Sequence, residues 1–183
     1  GDNVTAGAGT TLAAIAGQAL AHSLTGMEFA AGIPGSLGGA VVMNAGAYCS
    51  EMKNVILSAT VLTMEGEVRT LSAEELALGY RTSCIPAGGY VVREAELGVA
   101  PGDPEAIRSQ MEDFALRRRT KQPLEYPSAG STFKRPPGHF AGKLIQDAGF
   151  GGYRVGGAQV SEKHNGFVVN TGDATAADVM ELC

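Results

Sequence analysis

Gly32-Ile33-Pro34-Gly35-Ser36-Leu37-Gly38-Gly39-Ala40-Val41-Val42-Met43-Asn44-Ala45-Gly46-Ala47-Tyr48, or GIPGSLGGAVVMNAGAY, reads as loop, short apolar run and loop, with too many glycines for a regular element. Without Cβ atoms, consecutive N–H groups at Gly32, Ile33, Gly35, Ser36, Gly38, Gly39 and Ala40, around the rigid Pro34, can converge on an anion such as a pyrophosphate. The competing reading is a tight structural turn. The stretch is not the dinucleotide fingerprint: no GxGxxG joins a strand to a helix, and Gly7-Ala8-Gly9 lacks the third glycine. Glycine supplies 26 of the 183 residues, about twice the usual share of roughly 7%.

Outward from this stretch, Thr10-Thr11 caps a run of Leu12, Ile15, Ala16, Ala19 and Leu20 at helical spacing, which predicts a helix closing at Gly26 after Leu24. Val55 to Thr63 and Val68 to Leu71 are β-rich runs around Glu65-Gly66-Glu67, a hairpin signature. Ser72 with Glu75 predicts a capping box and a short helix ending at Gly79, and Tyr90 to Leu97 a further strand. At Pro101-Gly102-Asp103-Pro104 the character changes, and the domain boundary is expected there, with domains 1–100 and 101–183. Asp103 caps a helix whose apolar face is Ile107, Met111, Phe114 and Ala115 and whose end is Arg117-Arg118-Arg119. A strand at Gly166 to Asn170 and a helix begun near Thr175 complete the chain. That helix stops at Cys183 after about two turns without a C-cap, and the chain opens with neither an initiator Met nor a targeting segment, so both ends read as cut.

Composition narrows the class. Hydrophobic residues make up 44% and charged residues 18%, which excludes a disordered chain, and no apolar run approaches the roughly 20 residues of a membrane span. No membrane association is expected. Net charge is −5, which argues against nucleic acid as a partner. The charge is uneven: residues 1–97 carry Lys53, Arg69, Arg81 and Arg93 against nine acidic groups, whereas residues 108–143 carry eight basic groups against three acidic. A small anionic ligand, or simply a solvated face, accounts for the second stretch. Cys49, Cys84 and Cys183 are an odd number without CxxC spacing, so a reducing compartment is expected and a thiolate metal site is not. His22, His139 and His164 lack metal-ligand or triad spacing, and packing or surface roles are expected for them.

Three further constellations carry polar chemistry beside turns. In Tyr80-Arg81-Thr82-Ser83, Arg81 is either a surface residue or a fork that binds a carboxylate and stabilises charge beside it. Ala129-Gly130-Ser131-Thr132-Phe133-Lys134-Arg135-Pro136 presents Ser131, either a turn cap or a proton donor. Donation is sensible for so weak an acid only when the acceptor is a carbanion equivalent. Ala141-Gly142-Lys143-Leu144-Ile145 and the run from Gly156 to Asn165, with Gln159 and Ser161, offer the ammonium, amide and hydroxyl mixture that uridine and phosphate recognition needs.

Together GIPGSLGGAVVMNAGAY, YRTS, AGSTFKRP with GHFAGKLIQDAG, and GGAQVSEKHNGFVVN resemble the UDP-N-acetylenolpyruvoylglucosamine reductases, the MurB family of bacterial peptidoglycan synthesis, over nearly the whole chain and most nearly its shorter second-type branch. The resemblance implies an α+β fold: part of a vanillyl-alcohol-oxidase-type FAD-binding domain, then a substrate-binding C-terminal domain. It implies a cytoplasmic, monomeric flavoenzyme with FAD as cofactor and NADPH as co-substrate, reducing UDP-N-acetylglucosamine enolpyruvate to UDP-N-acetylmuramate. By family position Arg81 stabilises charge and Ser131 donates the proton, both facing the same carbon. Gly32 to Ala40, together with Asn44, Ala45, Gly46 and Ala47, would line the FAD. Tyr80, Arg118, Gln122, Lys143, Gln159 and Ser161 would meet the substrate. Arg135 stands where many relatives have Asn, and no contact is carried over there. The family's upstream glycine-rich segment and downstream catalytic glutamate lie outside residues 1–183, and Glu181 is not that glutamate. The chain alone is therefore expected to bind FAD poorly and turn over little. The alternatives are a silent UDP-sugar-binding fragment or another flavin oxidoreductase on the same scaffold.

Overall fold

A computed structural model describes residues 2–183. The chain divides into two compact units, the first running to Leu116 and the second being Arg117–Cys183. In the first unit the elements are β1 (Asp2–Gly7), α1 (Leu12–Ala21), β2 (Leu24–Thr25), α2 (Leu37–Val42), β3 (Gly46–Ala47), β4 (Ser50–Glu51), β5 (Ile56–Leu62), β6 (Val68–Ser72), β7 (Val91–Pro101) and α3 (Pro104–Lys121), whose last turns pass into the second unit.

An antiparallel sheet in the order β1-β7-β5-β6 organises this unit, and β2 pairs with the end of β7. Alternation along the strands decides its faces. Ala59 and Val61 of β5, with Val92, Ala95, Leu97 and Val99 of β7, are buried and meet Leu12, Ile15, Ala16 and Ala19 of α1 in one core. On the opposite face, Thr60 Oγ1 donates to Glu94 Oε1 at 3.2 Å and Asn3 Nδ2 to Glu96 Oε1 at 2.8 Å. The hairpin predicted around Glu65-Gly66-Glu67 is the β5–β6 pair.

Helix α1 starts as expected, with the Thr11 hydroxyl accepting from the Ala14 N–H. It stops at Ala21, three residues short of Leu24, because Ser23 takes φ 55° and Leu24 pairs with Pro101 as strand. The glycine-rich stretch also departs from the expected loop. Leu37–Val42 is a helix despite Gly38 and Gly39, an override of weak propensity by packing. Gly38 lies where a Cβ would come within 3.0 Å of the Ala8 Cβ, and its N–H donates to the Ala8 carbonyl at 2.9 Å.

The Ser72–Glu75 box closes, with Ser72 N–H donating to Glu75 Oε2 at 2.8 Å and Glu75 N–H to Ser72 Oγ at 3.3 Å. No helix follows it. Ala77 takes φ 48°, and the segment remains turns that bury Leu76 and Leu78. Asp103 caps α3 as expected, accepting from the Glu105 and Ala106 N–H groups, both at 3.3 Å. Because Met111 and Phe114 pack on the core of the first unit and Ile107 is buried, the compact division falls inside this helix after Leu116, beyond the change of character at Pro101.

The second unit adds β8 (Ser128–Ser131), α4 (Ala141–Asp147), β9 (Arg154–Val155), β10 (Ala158–Val160), β11 (Phe167–Asn170) and α5 (Ala176–Leu182). Its four strands form an antiparallel sheet in the order β8-β11-β10-β9. Ala158, Val160, Phe167 and Val169 are the buried residues of that sheet. Helix α5 begins with a complete capping box between Thr175 and Asp178. The Asp178 carboxyl is held below the ordinary Asp range, first by the Thr175 N–H and then by that of Gly157.

Candidate functional site

The loop after α2 forms a hairpin in which β3 and β4 are joined by Tyr48 and Cys49, at φ 52° and 66°. Positive φ at both central residues is the pattern of a type I′ turn, usually left to Asn-Gly. Here the strain is held by Tyr48, whose ring stacks on Phe114 with centroids 4.2 Å apart and planes 6° from parallel. Its hydroxyl donates to the Phe114 carbonyl at 2.9 Å. Gly46 permits the close pairing, since a Cβ there would sit 2.6 Å from both the Ser50 carbonyl oxygen and the Glu51 Cβ.

Against this hairpin lies the turn carrying Arg81. Gly79 and Thr82 exchange backbone hydrogen bonds of 3.1 and 3.3 Å, which holds Arg81 at φ 54°. From there the guanidinium reaches the loop: Nη1 donates to the Asn44 carbonyl at 3.2 Å and Nη2 to the Gly46 carbonyl at 3.1 Å. The Tyr80 ring centroid is 5.2 Å from its Cζ, a cation–π distance. Arg81 is half-buried.

Asn44 joins the two segments from inside. Fully buried at 0% exposure and at φ 42°, it donates from Nδ2 to the Gly79 carbonyl at 2.9 Å and accepts the Lys53 N–H on Oδ1 at 2.9 Å. Buried Ser83 adds another tie, its hydroxyl donating to the Val42 carbonyl at 2.8 Å. Two motifs separated in sequence, MNAGAY and YRTS, are thus one hydrogen-bonded cluster. Ser83 was not singled out from the sequence, although its place in YRTS beside Arg81 was the available signal.

The glycine-rich segment divides its amides. Those of Ile33, Gly38 and Ala40 are spent on the carbonyls of Ala30, Ala8 and Ser36 at 3.1, 2.9 and 3.0 Å, so they do not converge on a ligand as consecutive N–H groups would. Among the described residues, the Gly35, Ser36 and Gly39 amides have no acceptor. Gly35 and Gly39 are exposed, and a Cβ at Gly35 would meet nothing within 4 Å. These donors and this open backbone fit an anionic cofactor group lying against the segment.

In the second unit, Ser131 ends β8 opposite Phe167. It is exposed, and among the described residues its hydroxyl has no partner. Lys143 pairs with Asp147 one turn along α4, both exposed. Gln159 Nε2 donates to the Gly152 carbonyl at 3.3 Å. Ser161 is buried, and its hydroxyl accepts the His164 N–H at 3.3 Å. Arg118 has a buried Nε without a partner among the described residues. Gln122 is half-buried, its N–H on the Arg118 carbonyl at 2.9 Å. His164 serves packing, accepting the Gly166 N–H on Nδ1 at 3.2 Å with its ring 4.8 Å from Phe167. No helix among the described residues is long and apolar enough to cross a membrane.

Comparison with known proteins joins these features. Residues 1–72 match the family model described as FAD binding domain, and residues 122–183 match UDP-N-acetylenolpyruvoylglucosamine reductase, C-terminal domain. Arg81 and Arg118 lie between the two matches. The fold is α+β, and the class it defines is a chain with an FAD-binding region ahead of a UDP-N-acetylenolpyruvoylglucosamine reductase C-terminal domain. A UDP-N-acetylenolpyruvoylglucosamine reductase of Agathobacter rectalis is 60% identical over 179 residues, covering 98% of this chain and 57% of the relative. That of Lachnoclostridium phytofermentans is 62% identical over 179 residues, covering 98% and 58%. The crystal structure of the reductase from Thermus caldophilus superposes with a TM-score of 0.90 at 38% identity, over 98% of this chain and 66% of that one. The chain belongs to the UDP-N-acetylenolpyruvoylglucosamine reductase (MurB) family, and it spans less than two thirds of the length of these relatives.

Proposed function

We propose that the protein of which this chain is part reduces the enolpyruvyl group of UDP-N-acetylglucosamine enolpyruvate to UDP-N-acetylmuramate. The setting is the bacterial cytoplasm, as a monomer, in the supply of peptidoglycan precursors for cell shape and division. The observation that carries this reading is the Arg81 fork held on the Asn44 and Gly46 carbonyls, beside the segment matched as FAD-binding. Bound FAD, drawing on NADPH, supplies the hydride that reaches the terminal carbon of the enol ether.

That addition leaves an electron pair on the carbon bearing the carboxylate, delocalised into it as an enediolate. Arg81 has donors beyond the two engaged by backbone, and these stabilise the charge as it develops. Ser131 gives its hydroxyl proton to the carbon, forming the new C–H bond, and recovers a proton from water. Its exposed, unengaged hydroxyl supports that role. The Gly35, Ser36 and Gly39 amides hold the cofactor's diphosphate, with Gly32, Ile33, Pro34, Gly38, Ala40, Ala45 and Ala47 shaping its surroundings. Tyr80, Arg118, Gln122, Lys143, Gln159 and Ser161 meet the substrate through its diphosphate, uridine and carboxylate groups.

The test is NADPH oxidation by the complete protein with FAD. Consumption dependent on the enolpyruvyl sugar nucleotide, with UDP-N-acetylmuramate as product, supports the reading; substrate-independent oxidation overturns it. Because the relatives are much longer, the 183-residue chain alone is expected to bind FAD poorly and turn over little.

A further inference from the structure

The sequence placed Asn44 among residues lining the cofactor, yet its side chain is sealed inside the fold with both ends occupied. A carboxamide with 0% exposure cannot also reach a ligand. What it touches is the frame around Arg81. Its Nδ2 holds the Gly79 carbonyl at the entry to the Arg81 turn, and its Oδ1 holds the Lys53 N–H beyond the hairpin. Its own carbonyl is one of the two that receive the guanidinium.

We propose that Asn44 is a positioning residue for the Arg81 guanidinium, acting through the Gly79 carbonyl and its own backbone carbonyl, with Ser83 as its support on the Val42 carbonyl. The inference rests on the reading that Arg81 stabilises charge on the substrate.

The physical argument concerns conformations that do not persist by themselves. Arg81 at φ 54° and Asn44 at φ 42° both occupy the left-handed region. A non-glycine residue there is strained and persists only when its surroundings over-determine it. Asn tolerates the region better than most residues, Arg does not. The Gly79–Thr82 exchange restrains the Arg81 backbone, and the Asn44 carboxamide restrains Gly79 in turn. Without that donor the Gly79 carbonyl loses its buried partner, the turn relaxes, and the fork is released from the two loop carbonyls. A fork preorganised on fixed carbonyls keeps its remaining donors aimed; a released one must be ordered anew in each turnover.

The substitution Asn44→Asp keeps the shape, the tolerance for positive φ and the acceptor for Lys53, and replaces the donor to Gly79 with a carboxyl oxygen that repels that carbonyl, at the cost of a buried charge. In the complete flavin-loaded protein, it is expected to slow substrate reduction by about 10- to 100-fold while flavin reduction by NADPH stays within about twofold. In an Arg81→Ala background, Asn44→Asp is expected to add less than about twofold, because its effect passes through Arg81. A readout independent of turnover is the nitrogen NMR spectrum of the guanidinium: in the parent protein the two Nη signals are resolved by hindered rotation, and in the variant they merge.

Additive losses, equal loss in both half-reactions, or Nη signals unchanged by Asn44→Asp would overturn the proposal. If Asn44→Asp fails to fold, Ser83→Ala carries the test with the same non-additivity and the same merging. If Arg81→Ala leaves substrate reduction unaffected, the reading of Arg81 fails, while the Nη signals still decide whether Asn44 positions it.

Discussion

The ring of Tyr48 lies flat on that of Phe114, and the Tyr48 hydroxyl closes on the Phe114 carbonyl. A hairpin tip with two left-handed residues is thereby anchored to a helix. Tyr48→Ala is expected to destabilise the first unit by about 2 kcal/mol, and Tyr48→Phe, which keeps the stack, by about 1 kcal/mol. Urea unfolding followed by circular dichroism measures both, and equal losses would assign the stabilisation to the hydroxyl alone.

Gly46→Ala introduces a methyl group 2.6 Å from the Ser50 carbonyl oxygen and the Glu51 Cβ. Neither is the far end of a flexible chain, so β3 and β4 must separate. The expected cost is about 1–3 kcal/mol, with the Gly46 carbonyl drawn off Arg81. Thermal denaturation would register the first effect, and the Nη signals of Arg81 the second.

Arg81→Lys leaves one ammonium where a planar fork spans the Asn44 and Gly46 carbonyls. An ammonium cannot reach both and still face a carboxylate. Substrate reduction is expected to fall by about 100-fold or more, with flavin reduction by NADPH little changed. Stopped-flow absorbance separates the two half-reactions, and retention of more than half the rate would remove Arg81 from the chemistry.

Ser131→Ala removes the proposed donor without removing packing, since the side chain is exposed. The half-reaction that consumes substrate is expected to slow by about 10²- to 10⁴-fold and the NADPH half-reaction to persist. Equal loss in both would mean that Ser131 shapes the site.

The Asp178 carboxyl is stabilised in its charged form by the Thr175 N–H first and the Gly157 N–H after it. Its folded-state pKa lies below the unfolded value, so the contribution is complete above the unfolded value of about 3.9. It is lost as pH falls through the lowered folded value. Asp178→Asn is expected to flatten the loss of stability of the second unit below about pH 4, measured by thermal unfolding at a series of pH values.

Much of the fold was legible because it follows from local rules. The hairpin at Glu65-Gly66-Glu67, the Asp103 cap and the Thr175 helix each depend on residues within one turn of each other. What escaped depends on partners far along the chain. Leu24 continues the helical spacing, yet pairs as strand with Pro101. Gly38 sits in a helix because Ala8 lies against it. The Ser72–Glu75 box formed without a helix because the following residues turn inward to bury Leu76 and Leu78. In the candidate site, Arg81 stood out in YRTS as one of four cations in an acid-rich stretch. Asn44 was legible as polar but not as buried, since its partners at Gly79 and Lys53 carry no side-chain signal at all.

The hairpin tip has one more consequence, for what can change over evolutionary time. Alternate residues of a paired strand face opposite ways, so inserting or deleting a single residue between Met43 and Ser50 would turn the Gly46 carbonyl away from the guanidinium. Beyond the side chains of Asn44 and Tyr48 and the bare backbone of Gly46, what that interval cannot give up is its residue count.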